Sequence, residues 1–161
     1  MSHAGSATQP QAAPENAAGL SHPVIVVGLD GSPTSWDAFA WAAGEATRGN
    51  GTLTAVYATP WVEPVAPFGA SFDYAAAEQA WQEAAEQLRD EAEQRLRGLG
   101  LRLEFVREHG DPAQALTRVA RSAHADLIVV GASMKMLHHL ARSLGRRLLS
   151  RRGTPVVAVV P

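Results

Sequence analysis

The sequence contains no cysteine among its 161 residues, which excludes disulfides and thiolate chemistry. It contains no apolar run approaching the roughly twenty residues needed to span a bilayer as a helix. It has little excess charge: 14 basic against 16 acidic side chains give a net charge of −2, which predicts no general attraction to nucleic acid or to an anionic membrane. Residues 1–21 lack both a basic n-region and an apolar h-region, so they do not read as a secretory signal. They are rich in Ala, Gly, Pro, Gln and Ser, with almost nothing to bury, and read as a disordered tail. A cytoplasmic protein is the simplest expectation. Catalytic signatures are also missing. There is no G-x-x-x-x-G-K-[S/T] phosphate loop, no G-x-S-x-G elbow and no base–nucleophile pair, so no enzyme is expected.

What remains is an apolar fraction of 46%, enough for one domain over residues 22–161. Short β-branched runs occur at Val24–Val27, Leu53–Tyr57, Leu101–Val106, Leu127–Val130 and Val156–Val160. Several are continuous, as expected of strands covered on both faces. Helical spacing fills the gaps. Ser32 and Pro33 open the first helix as N-cap and first residue, and Gly49, Asn50 and Gly51 close it. The second spans about Tyr74 to Arg97, its apolar face carried by Tyr74, Ala77, Trp81, Ala84, Leu88 and Ala92, and Gly98 and Gly100 end it. The third opens at Asp111-Pro112 with Gln114 at the capping-box position, and buries Ala115, Leu116, Val119, Ala120 and Ala123. The fourth buries Leu137, Leu140, Ala141, Leu144 and Leu148. Five strands alternating with four helices predict an α/β fold: a Rossmann-like open five-stranded parallel sheet, order 3-2-1-4-5, with helices on both faces.

In such sheets ligands bind beyond the carboxyl ends of strands, where the strand order reverses. Two segments fall there: Leu29-Asp30-Gly31-Ser32 after the first strand, and Gly131-Ala132-Ser133-Met134-Lys135 after the fourth. Asp30 either accepts hydrogen bonds from ribose hydroxyls or an exocyclic amine, or only stabilises its turn and the helix start. Between Gly131 and Gly153 lie six Lys or Arg residues and no acid. Of these, Lys135 and Arg142, with Ser143, lie near a helix start where a phosphate would sit, while Arg151 and Arg152 suit a helix C-terminus. His138 and His139 point some 100° apart on a helix and have no carboxylate nearby, so no metal site is expected. Trp36, Trp41 and Trp81 read as core at helical spacing, and Trp61 as a candidate shield for a ligand or a dimer contact. A receiver-like phosphorylation domain is excluded by the absence of a Lys after the fifth strand.

Four segments in this order resemble the universal stress protein family: Val26–Ser32, Gly110–Leu116, Ala125–Gly131 and Thr154–Val160. The resemblance covers Pro23 to Pro161. It implies a stress-response module that binds an adenine nucleotide such as ATP or AMP, takes Mg only with that nucleotide, and forms a homodimer. The implied nucleotide contacts are Leu29, Asp30, Gly31, Ser32, Val56, Gly131, Ser133, Lys135, Arg142 and Ser143. The family's ATP loop reads G-x-x-G, nine residues, then G-[S/T], and members without the glycines do not bind ATP. Here Gly131 and Ser143 match, Met134 stands at the second glycine and Arg142 at the third. Side chains there narrow a cradle built from backbone N–H groups, so a weakened site is expected. Arg142 either supplies phosphate contacts itself or occludes the site by pairing with Asp30. The other reading is a dimerising scaffold that binds no nucleotide. In either case the dimer is expected to form through Val156–Val160, an uncharged strand at the sheet's edge.

Overall fold

The β-branched runs become strands and the capped segments become helices in a computed structural model that describes residues 22–60, 73–132, 148 and 155–161. In chain order these are β1 (Val24–Gly28), α1 (Pro33–Arg48), β2 (Thr52–Thr59), α2 (Tyr74–Arg95), β3 (Arg102–His109), α3 (Pro112–Ser122), β4 (Leu127–Gly131) and β5 (Val156–Val160). All neighbouring strands run parallel, in the order β3-β2-β1-β4-β5. This is the predicted topology.

Alternation along each strand divides the core in two. On one face Ile25, Val27, Leu29, Leu53, Ala55 and Val129 pack against Ala38, Phe39, Ala42 and Ala46 of α1 and against Ala92 of α2. On the other, Val26, Val56, Ile128 and Val130 pack against Ala113, Leu116, Val119 and Ala120 of α3. Leu148 is fully buried in this second cluster. Leu137, Leu140, Ala141 and Leu144, expected on the same helical stripe, lie outside the described residues, as do residues 1–21 and Trp61.

The helix ends follow local chemistry. The Ser32 side chain accepts the Ser35 N–H, and the Asp111 side chain accepts the Gln114 N–H at 3.1 Å. Beyond α1 the left-handed position is taken by Asn50 (φ 49°), and the Gly51 N–H donates back to Ala46 at 2.8 Å. Gly51 is required for a different reason, because a Cβ there would strike the Pro23 carbonyl. His124 (φ 50°) closes α3 in the same way.

Several boundaries and faces differ from the sequence expectation. Tyr74 is 44% exposed rather than buried. One turn along the same face, Glu78 pairs with Arg107 at 2.7 Å, so the sheet offers this end of α2 a guanidinium and not an apolar surface. The helix stops at Arg95 because Leu96 turns into the core as its C-cap. Strand β3 begins one residue late and continues to His109, and β2 continues to Thr59, since the two pair to their ends. Ala123 is half-buried because it is a cap and not a helix-interior residue.

Candidate functional site

Strand order reverses between β1 and β4, and both predicted loops open at that point. Residue Gly28 is the last of β1 to pair with β2, opposite Val56, whereas β2 and β3 continue together through Thr59 and His109. The carboxyl edge of the sheet is therefore stepped, with β2 and β3 forming a wall beside a lower floor at β1 and β4. At the top of that wall Thr59 is fully buried, its hydroxyl 3.0 Å from His109 Nδ1 and 3.3 Å from the Glu108 carbonyl.

On the floor, Leu29 is buried and donates its N–H to the Val56 carbonyl at 2.9 Å. The side chains of Leu29 and Val56 belong to opposite core clusters, so these two predicted residues shape the floor through their backbone. Asp30 follows, exposed, with its Oδ1 accepting the Ser32 N–H at 2.9 Å. Its own N–H donates to Ser35 Oγ at 3.3 Å, and Ser35 Oγ donates to the Ser32 carbonyl at 2.8 Å. Gly31 holds φ 82°, a backbone that L side chains rarely adopt, and lies beside Leu88 of α2.

This ring of bonds sets the electrostatics. Partial burial pushes the Asp30 carboxyl upward, but the hydrogen bonds from Ser32 and Ser35 outweigh it and hold the group below its ordinary value of 3.8. Asp30 is thus an anion at neutral pH with Oδ1 committed to the turn. Among the described residues the hydrogen bond from the Ser32 N–H falls on Oδ1, which leaves Oδ2 to suit a donor such as a hydroxyl or an amine. The head of α1 is a poor phosphate site by comparison. Pro33 has no N–H, Ser32 and Ser35 have committed theirs, and a carboxylate stands beside them.

Gly131 comes directly against the first turn of α1. A Cβ on it would run into the Thr34 carbonyl and lie 2.9 Å from the Ser35 nitrogen. The glycine is required here by strand-to-helix packing, independently of any phosphate. Gly131, the first residue of the second predicted segment, thus meets the helix that follows the first segment, at Thr34 and Ser35. Ser133, Lys135, Arg142 and Ser143 lie outside the described residues, as do His138 and His139. Ser35 was missed in the sequence; its signal is a second hydroxyl three residues after an N-cap serine, where a buried side chain can serve the preceding loop. Among the described residues no three His, Asp or Glu side chains gather to hold a metal.

Comparison with known proteins identifies the family and the fold. No curated protein matches the sequence. A universal stress protein family structure from Burkholderia pseudomallei is 28% identical and superposes with a TM-score of 0.71, over 89% of this chain and 98% of its own. A universal stress protein in complex with cAMP is 26% identical, with a TM-score of 0.64 over 88% of this chain and 98% of its own. The universal stress protein UspA from Lactobacillus plantarum is 25% identical, with a TM-score of 0.67 over 87% and 98%. The family model for the universal stress protein family matches residues 23–159, nearly the whole of the described fold and both loops of the crevice. The chain belongs to the universal stress protein family.

Proposed function

We propose that this chain is a stress-response module that binds an adenine nucleotide weakly in the crevice between β1 and β4, pairs with a second copy through β5, and carries no evolved catalysis. The observation that carries the nucleotide reading is Asp30, an anion with Oδ2 outside the turn's own bonds, placed where strand order reverses. The relative solved with cAMP, 26% identical, supports an adenine nucleotide as the ligand class. In this reading Asp30 accepts from the ribose hydroxyls or the exocyclic amine, and Val56, Leu29 and Gly31 border the base and sugar. Ser133, Lys135, Arg142 and Ser143 meet the phosphates, and Mg enters only with the nucleotide.

The binding is weak because the loop after β4 has Met134 and Arg142 where the ATP loop implied by the family resemblance has glycine. Calorimetric titration with Mg-ATP is expected to give a dissociation constant above about 10 μM, or roughly 7 kcal/mol. Nanomolar affinity would overturn the weakening. Tighter binding by Arg142→Gly would mean that Arg142 occludes the site, and weaker binding that it holds phosphate. A second reading, a dimerising scaffold without nucleotide, is favoured by the committed donors at the head of α1. Mass spectrometry of ligand released from freshly purified protein separates the two, since a scaffold carries none.

The dimer reading rests on the contrast between the sheet's two edges. Strand β3 carries Arg102, Glu104, Arg107 and Glu108, and two of these form ion pairs, with Glu78 and Arg118. Strand β5 carries no charge, pairs among the described residues only with β4, and leaves Val156 and Val159 exposed. A charged edge is guarded against strand addition, and an apolar one invites it. Light scattering on the full chain is expected to give a dimeric mass, and Val159→Lys a monomeric one.

A further inference from the structure

Helix α1 has two flanks, and among the described residues only one is covered by another helix. Trp36 lies on the flank toward α2, where it meets Phe39 edge-on at 5.5 Å between centroids and takes Arg95 over its ring at 4.3 Å. Trp41 is five residues on, roughly 140° around the helix, which places it across the buried stripe on the opposite flank. That flank faces the β5 side, because α1 sits over β1 and β4 and reaches β5. The sequence reading of Trp41 as core does not hold: it is 39% exposed. On the same face of the sheet, by alternation along β5, Val156 is 71% exposed, whereas Ala158 and Val160 join the core beneath α1. Glu45, one turn along from Trp41, is paired with Arg48 of its own helix, and Asp37, one turn before it, is exposed.

We infer that Trp41 and Val156 form the apolar half of a trough that a second copy of this chain completes, with the two Trp41 side chains roofing the paired β5 strands. The inference rests on the β5 dimer and adds the helix contact to it. The occupant is a second copy because of what β5 demands. Its outward N–H and C=O groups call for another strand, and that strand must tolerate apolar neighbours on both faces, as Val156–Val160 does. An antiparallel pair of identical strands has its two-fold axis perpendicular to the sheet, so both α1 helices lie on the same face. Counting strands from the β1–β4 midline to its mate gives four spacings, or about 19 Å between helix axes. Two helices of about 5 Å radius leave a gap of roughly 9 Å above β5 and its copy. Two indoles fill such a gap, and each then covers the exposed Val156 on the floor.

The test is analytical ultracentrifugation of the full chain, with thermal melts as a folding control. Trp41→Ala and Val156→Glu change exposed positions and are expected to melt within a few degrees of the parent while raising the dimer dissociation constant at least tenfold. Val159→Lys, on the other face of β5, reports on strand pairing alone. If Val159→Lys is monomeric but Trp41→Ala and Val156→Glu dimerise like the parent, the β5 dimer stands and the trough is overturned. A parent that is monomeric at micromolar concentration overturns both. A dimer lost on removal of residues 1–21 assigns the interface to that segment and also overturns the inference.

Discussion

Asp30 and Gly131 each have one duty that belongs to the fold and one place in the proposed site. Asp30 accepts the Ser32 N–H, and its carboxyl titrates below 3.8 in the folded chain because of the Ser32 and Ser35 hydrogen bonds. A depressed carboxyl contributes stability that is complete above about pH 4 and is lost as pH falls through the folded value. Asp30→Ala is therefore expected to cost about 1 kcal/mol at pH 7 in urea unfolding, with the gap to the parent narrowing below pH 4. A gap that stayed constant down to pH 2.5 would remove the carboxylate from that account. Gly131→Ala tests the other duty. Its methyl meets the Thr34 backbone, which cannot move without shifting the start of α1, so a loss of about 1–3 kcal/mol is expected even without nucleotide. An unchanged melting temperature would mean that the glycine is there for the ligand alone.

Among the elements, strand order, the helix starts and the faces of α3 were legible because each rests on local chemistry. A serine or aspartate before a proline caps a helix wherever it stands, and continuous β-branched runs require cover on both sides. The face of α2 was only partly legible. Its expected stripe included Tyr74, but whether an aromatic is covered depends on the strand opposite, and β3 presents Arg107 there. Helix ends closed by Asn50 and His124 were also hidden, since left-handed caps at non-glycine residues carry a weak signal. Leu148 illustrates the opposite case: its place in the apolar spacing predicted burial, and it is fully buried in the core cluster that α3 forms with the sheet. Leu148→Ala is expected to destabilise by about 2–5 kcal/mol in denaturant unfolding. A loss under 1 kcal/mol would mean that the second core cluster closes without it.

At the scale of the molecule, the reversal of strand order between β1 and β4 was legible because it follows from the order of the elements alone, and Gly131 meets the first turn of α1 there. The internal wiring of the first loop was not, because Ser35 reaches back across a helix turn to serve Asp30, a contact that no spacing rule isolates from ordinary capping. Trp41 was misread for a related reason. Helical spacing separates core from surface, but which flank of α1 is covered depends on where the neighbouring helix stops. The central claim is that an adenine nucleotide sits on the β1–β4 floor, with Asp30 as its fixed anion. An amide-resolved NMR titration of the full chain with Mg-ATP tests it most directly. The account predicts fast-exchange shifts for Leu29, Asp30, Gly31, Val56 and Gly131, saturating above about 10 μM, and little change along the outer face of α2. Shifts confined to other parts of the fold, or none at millimolar nucleotide, would contradict it.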